Sequence, residues 1–459
     1  MLPLSRFTVG LRRLRIRRLY NQRNYGEAKA LSERELSCSI NQRFAVDIIL
    51  RSLYNQQHWL ELISFAQQHP SEHSSELIKK AEIQLFSEGR GTEVEPKGHS
   101  HRGWNENAPL SNWYQEQNRL WLRYPNGWVY WDMPEEFELS KTHDSILQLA
   151  MNILLQPLGI RYSLEETCTR SQGTNVGLAY SGGIDSTAAV LLLPEKTILS
   201  YHQRSFPSVM DHGLPERLFE VLEHDFDRPI LRVPSNHELI RASVGKSIGF
   251  STDFAAGVHL ILLSDTLNLG TIAFGTPLDN TWLVKGAKYR DFPNSKYWIR
   301  WKKYFAHAGL DLEFPINHIS EAGALRICQQ SGFIDFINSC LRGSDGTGCG
   351  ICWKCFNKNG PLGREIQFES KEIQEFLHCV PLKTGQHALW SLQIQNLEHR
   401  VPHLKHLVGD SLAWWEMYYE PGLEIISVQL RDLIEKNTKN YLQPMDENAL
   451  LEQIDLYPK

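Results

Sequence analysis

Residues 176–186 read Val-Gly-Leu-Ala-Tyr-Ser-Gly-Gly-Ile-Asp-Ser, and the reading of this stretch decides the fold. A short apolar run reaches Tyr180. Ser181, Gly182, Gly183, Ile184, Asp185 and Ser186 follow, and Thr187 opens a helix-like run, Ala188 to Leu193. A strand, a glycine turn and a helix start in that order make an anion cradle. Glycine lets the backbone approach a ligand closely, and unpaired N–H groups at the positive end of a helix favour phosphate. The lysine of the Walker loop is absent, so this is not the common phosphate loop. A nucleophile turn or an ordinary tight turn are the other readings of the same residues.

Downstream, strand-like and helix-like runs alternate. Thr197–Tyr201 reads as a second strand, Pro215–Glu223 as a helix and Ile230–Val233 as a third strand. Asp253–Leu269 reads as a helix and Thr271–Phe274 as a fourth strand. Such alternation predicts an α/β fold whose doubly wound parallel sheet is covered on both faces. Ligands of such sheets sit beyond the carboxyl ends of the strands. The 181–186 loop, Tyr201–Arg204 and Gly275–Asn280 all belong to that edge. Residues 285–303 then carry Lys285, Lys288, Arg290, Lys296, Arg300, Lys302 and Lys303 among aromatic residues. A basic, aromatic stretch suits the mouth of an active site, an RNA surface, or a solvated loop and helix.

Cys340, Cys349, Cys352 and Cys355 form C-x8-C-x2-C-x2-C. Four thiolates with no open position describe a structural Zn2+ site, and a [4Fe–4S] cluster uses the same ligand count. Cys38, Cys168, Cys328 and Cys379 are isolated and read as buried thiols.

The whole chain has 459 residues, 42% of them hydrophobic, 22% charged, with a formal net charge of −5. That length allows several domains. The charge excludes a wholly basic nucleic-acid binder but not a local patch. No uninterrupted apolar run of about 18 residues exists, so no membrane span is expected. The start lacks the apolar core of a secretory signal, and with the cysteine spacing this points to the cytoplasm.

Residues 1–23 hold seven arginines and no acid, which suits a transit peptide or a nucleic-acid arm. An internal repeat gives another reading. Leu19-Tyr20-Asn21-Gln22 recurs as Leu53-Tyr54-Asn55-Gln56, and the same offset of 34 residues pairs Tyr25 with Trp59 and Glu27 with Glu61. This is similar to tetratricopeptide repeats, whose concave face holds partner segments. Ser75–Ser87 would close the array. Residues 88–101 have linker composition, with His99 and His101 expected in solvent. Tyr124-Pro125-Asn126-Gly127 predicts a hairpin between aromatic strands, with Trp113, Trp121, Trp128 and Trp131 packing across it. His143–Leu155 reads as a helix leading into the sheet. After Lys371 the pattern is helical, at Ile373–Leu377, Ala388–Leu397 and Ile425–Ile434. The aromatic cluster Trp414–Tyr419 reads as packing, and an oligomer interface here stays open. The expected organisation is a helical repeat region at 1–90, linker and hairpin at 91–142, an α/β domain at 143–362 and a helical region at 363–459.

The Ser181–Ser186 pattern, SGGxDS, resembles the PP-loop of ATP pyrophosphatases. With Tyr201-His202-Gln203-Arg204-Ser205 and the four-cysteine spacing, residues 176–360 resemble the 7-cyano-7-deazaguanine synthase branch of that superfamily. The resemblance implies an adenylate-forming ligase. Gly182–Ser186 N–H groups and the Ser181 and Ser186 hydroxyls would hold pyrophosphate. Asp185 would hold Mg2+, and Leu199–Tyr201, Gln203, Arg204 and Gly275 would frame the adenosine. The acceptor would be a small molecule or protein-borne, activated at a carboxylate or carbonyl oxygen and then attacked by nitrogen. Departures are clear. His202 and Ser205 replace a glycine and a histidine, Asp279-Asn280-Thr281-Trp282 replaces the deazaguanine pocket, and Glu321 stands near the family's lysine. Lys302, Lys303 and Arg342 are candidate substitutes for that cation. Alternatives are a sugar- or protein-directed amidotransferase, a nucleotide-binding scaffold that works through its repeats, or an RNA-modifying enzyme.

Overall fold

The structure is a computed structural model that describes residues 4–71, 74, 77, 78, 80, 81, 84, 95, 96, 103–163, 170–206, 211–343, 347–408 and 411–458. Cys168 and the linker histidines His99 and His101 lie outside these residues. Of the closing helix expected over 75–87, residues 77, 78, 80, 81 and 84 are described, and they are helical. The chain divides into two compact units, residues 1–95 with 206–209, and 96–205 with 210–459. The boundaries expected after 142 and 362 therefore separate no compact unit.

In the first unit, helices Leu4–Asn21 and Tyr25–Glu33 form one pair, and Gln42–Asn55 and Trp59–Gln68 a second. The 34-residue offset is visible in the backbone. Arg23 and Gln57 both turn the chain at positive φ, 62° and 61°. Tyr20 packs edge-on against Tyr25 at 5.3 Å, and Tyr54 against Trp59 at 5.4 Å. Some of the arginines serve the packing. Arg12 pairs with the buried Glu35 at 3.1 Å, and Arg13 Nε donates to Asn41 Oδ1 at 2.6 Å.

The second unit is built on eight strands. They are β1 (Trp113–Glu116), β2 (Arg119–Tyr124), β3 (Gly127–Asp132), β4 (Asn175–Ala179), β5 (Ile198–Arg204), β6 (Ile230–Ser235), β7 (Leu269–Phe274) and, after a small hairpin of β8 (Leu283–Val284) and β9 (Lys288–Tyr289), β10 (Asp311–Glu313). The sheet runs β1-β2-β3-β6-β5-β4-β7-β10. From β6 to β10 every pair is parallel, and β1 to β3 join antiparallel through Trp131 opposite Ser235. The expected hairpin thus extends the main sheet. Its tryptophans are buried and pack on one another, Trp113 on Trp131 at 5.8 Å and Trp121 on Trp128 at 6.5 Å.

Consecutive buried residues in β5 and β7 mean that both faces of the sheet are covered. Helix Ile184–Leu192 packs with Glu321–Gln330 and Val428–Lys439, while Asp144–Leu154 packs with Val258–Leu262. The last part of the chain joins the same core through Trp415, Tyr418 and Tyr419. Two expected helices are shorter or displaced. Residues 253–257 form a 3-10 turn before the helix Val258–Leu262, and the last long helix is Val428–Lys439. No helix among the described residues is long and apolar enough to cross a membrane.

Candidate active site

The parallel strands, numbered from β4 as they occur, stand in the order third, second, first, fourth, fifth. The direction of winding reverses between β4 and β7, and a crevice opens at such a point. The glycine loop leaves β4 there. Ser181 N–H donates to Ser186 Oγ at 3.3 Å, the two hydroxyls lie 2.9 Å apart, and Gly183 N–H donates to Ser181 Oγ at 3.3 Å. Gly182 turns at φ +69°. Helix Ile184–Leu192 starts next, and Ile184 N–H donates to Ser339 Oγ at 3.2 Å. Gly275, just beyond β7, touches this helix start. A Cβ there would lie 2.7 Å from Ser186 Cα, so only glycine permits the contact.

Asp185, in the first turn, meets a cation from a distant segment. Lys358 Nζ lies 2.7 Å from Asp185 Oδ1 and 2.7 Å from Glu321 Oε2. Lys358 and Glu321 are buried, whereas Asp185 keeps 29% of its side-chain surface open. Ser320 caps the helix Glu321–Gln330, and Asp279 Oδ2 accepts from Glu321 N–H at 2.8 Å. Burial works to raise the Glu321 carboxyl, but Lys358 and His387 outweigh it and hold it at about 2. Burial and the Glu321 charge raise Asp279 well above the usual carboxylate range. Burial opposes the charge on Lys358, but its two carboxylate partners prevail and raise its pKa.

A cleft of about 1350 Å³ opens over this cluster. Its wall includes Asp185 from the loop, Arg204 from the end of β5, and residues 274–277 from the end of β7. It also includes residues 248–254 and, from the basic stretch, Lys285, Arg290 and Tyr297. The cleft thus joins Asp185, Arg204 and Gly275 of the predicted residues. Arg204 is held by Glu238 at 2.6 and 2.8 Å. Ser181, Gly182, Gly183, Ile184, Ser186, Tyr201 and Gln203 are not on the wall. Tyr201 is buried, with its hydroxyl 2.6 Å from His212 Nδ1 and its ring on Phe219, so it frames the core, not the cleft. The candidate cations Lys302, Lys303 and Arg342 are also elsewhere. Arg342 pairs with Glu372 at the surface, and Lys302 and Lys303 lie on the helix Lys296–His307 away from the cleft wall.

The cysteines converge. Sγ–Sγ distances are 3.6 Å for Cys340–Cys349, 3.7 Å for Cys340–Cys352, 3.7 Å for Cys352–Cys355 and 3.8 Å for Cys349–Cys355. A tetrahedron with Zn–S bonds of about 2.3 Å has edges of about 3.8 Å, so four sulfurs at this spacing fit one ion. A cluster that places each thiolate on a separate iron needs a wider cage. Gly350 N–H and Asn359 Nδ2 donate to Cys355 Sγ at 3.3 and 3.5 Å, which steadies a thiolate. The four residues could therefore hold a metal such as zinc. Among the isolated cysteines, Cys328 is buried as expected, whereas Cys38 and Cys379 are partly exposed.

Ser339 and Lys358 escaped the sequence reading. Neither belongs to a local motif, but they bracket the cysteines, one residue before Cys340 and three after Cys355. Cys355–Asn359 forms a single π-helical turn, so the last metal ligand and Lys358 share one rigid element.

Residues 300–453 match a family of unknown function, DUF6395, and make up less than half of the chain. They include Glu321, the cysteines and Lys358, but not the glycine loop. Comparison with curated proteins and with solved structures gives no match.

Proposed function

We propose that the chain is an adenylate-forming ligase of the PP-loop type, with a doubly wound sheet of that kind. The observation that carries this reading is the Lys358 ammonium set on Asp185, in the first turn of the helix where the winding reverses. An acceptor carboxylate or carbonyl oxygen would attack the α-phosphorus of ATP. A new O–P bond forms, the bond to the bridging oxygen breaks, and its electron pair leaves with pyrophosphate. A nitrogen nucleophile then attacks the activated carbon, loses a proton, and AMP departs. Lys358 would offset the negative charge that gathers on the phosphates. The partly exposed Asp185 carboxylate is the hard oxygen donor that Mg2+ prefers, and that ion would shield the triphosphate. The cysteine cage would brace the loop through Ser339 and Lys358 without touching substrate. The N-terminal repeats would hold a protein partner or a protein-borne acceptor. The metal-bound thiolates suit a reducing compartment such as the cytoplasm.

The test is pyrophosphate release by the full chain with ATP, Mg2+ and a metabolite extract. Release is expected, with a loss of at least about 100-fold in Asp185→Asn, because a metal-holding carboxylate is removed. An undiminished ATP pool would count against the ligase. A second reading is a scaffold that holds nucleotide without splitting it, favoured by Asp279-Asn280-Thr281-Trp282 standing where the family's acceptor pocket would lie. Nucleotide binding without pyrophosphate, with a co-purifying protein, would support that scaffold.

A further inference from the structure

We propose that the outer part of the cleft is an anion subsite for the acceptor, which carries a carboxylate or phosphate of its own. It would be bound by Arg241, Lys246, Lys285 and Arg290. The proposal rests on the cleft being the nucleotide and acceptor site. All four residues line the cleft with Asp185. Among the described residues, none of the four has a carboxylate within ion-pair distance. Two of the three acids on the same wall are paired, Asp185 with Lys358 and Glu238 with Arg204; Asp253 accepts from the Tyr297 hydroxyl at 2.9 Å and leaves one negative charge against the four cations. The wall therefore carries unmatched positive charge, and a cleft focuses such a field onto an anion.

Three further features bear on the placing of these cations. Lys285 turns at φ +55°, in a tight turn closed by Ala287 N–H to Val284 O at 3.0 Å. That position favours Asn or Gly, and a lysine held there carries backbone strain, which tends to be retained where function needs the side chain. Gly249 lies against Arg241, with an ideal Cβ 2.8 Å from Arg241 Nη1, a contact the flexible end of that side chain could relieve. Arg290 is fixed by backbone carbonyls. Its Nη2 donates to Asn280 O at 2.6 Å and its Nε to Thr281 O. Size agrees as well. At about 1350 Å³ the cleft exceeds the roughly 300–1,000 Å³ of a pocket for one small ligand, so a nucleotide leaves space beside it.

The test is calorimetric titration of the full chain, saturated with the ATP analogue bridged by methylene between the α- and β-phosphates. Inorganic phosphate and citrate are the probes, in separate arms. The wild-type chain is expected to bind at least one. Phosphate would indicate a phosphorylated acceptor, citrate a carboxylate one. The triple variant Arg241→Gln, Lys246→Gln, Lys285→Gln should bind that probe at least about tenfold more weakly, with analogue affinity changed less than about twofold. Lys285→Gly, which relaxes the turn, should weaken the probe while leaving the melting temperature equal or higher. Failure of both probes on the wild-type chain overturns the proposal, as does unchanged probe affinity in the variants. A roughly tenfold loss of analogue affinity in the triple variant also overturns it, because these cations would then hold the triphosphate. If the analogue does not bind but a probe does, and the variants weaken it, the nucleotide reading fails and the subsite stands.

Discussion

The cysteine cage and the Lys358 cluster lie three residues apart in the chain, and each gathers groups that repel one another when charged. Four sulfurs sit within 3.6–3.8 Å along the edges of the cage. In the other cluster, Asp185 and Glu321 share one ammonium at 2.7 Å each. The cage has one cation at its rim, Arg342, whose Nη2 lies 3.9 Å from Cys349 Sγ, and its four thiolates could take a metal ion from outside. The carboxylates receive theirs from the chain itself, on the turn Cys355–Asn359 that leaves the cage. A covalent tether fixes charge in place, whereas a metal site is only as complete as its loading.

Stripping the metal should have the largest effect. Binding at a four-thiolate cage is worth on the order of 10 kcal/mol, and that free energy is folding free energy. One zinc per chain by elemental analysis, lost on chelation together with a large fall in the melting temperature, is the expected result. Lys358→Met comes next. It leaves a buried Glu321 charge uncompensated and should cost about 3–5 kcal/mol. Lys358→Met with Glu321→Gln should recover part of this in denaturant unfolding. The single variant should keep its zinc; if it loses zinc, cage and cluster are one cooperative site.

Acid should act on the cluster in two windows. His387 is buried beside Glu321, and its pKa falls to about 4. The unfolded chain takes up that proton from about pH 6.5 downward, so stability is lost as pH falls from there toward 4. Glu321 stabilises above its unfolded value of about 4.3, and this is lost as pH falls toward about 2. Glu321→Gln should abolish the lower window and leave the upper one in thermal melts across pH. The smallest effect is expected from Arg342→Ala. Its pair with Glu372 is exposed on both sides and its contact with Cys349 Sγ is long, at 3.9 Å, so the change should be about 0–1 kcal/mol, with no loss of pyrophosphate release.

The glycine loop and the cysteine cage are legible in the sequence because each is encoded within a few residues. The hairpin and the 34-residue offset are legible for the same reason, down to the matching turns at Arg23 and Gln57. The partner of Asp185 is not, because it lies 173 residues away and is brought there by strand order. Glu321 stands where the resemblance leads one to expect a cation, and it anchors Lys358 instead. The helix expected over 253–269 failed for a local reason. The apolar run around Val258–Leu262 fits a helix, but the chain must turn by Leu269 to enter β7. Tyr201 was assigned to the nucleotide from its place at a strand end. Its ring lies on the core side, which alternation along β5 does not reveal when both faces are buried.

On the proposed function, the bracket formed by Ser339 and Lys358 would give the cysteines a part in the timing of maturation. Ser339 and Lys358, which reach Ile184 and Asp185, are neighbours of the cage cysteines, so if the cage holds a metal a newly made chain without it would have neither in place. Such a chain could be complete in length and still be idle toward ATP. Metal supply would then set how many copies are active, and an unfinished copy would not waste nucleotide while it waits.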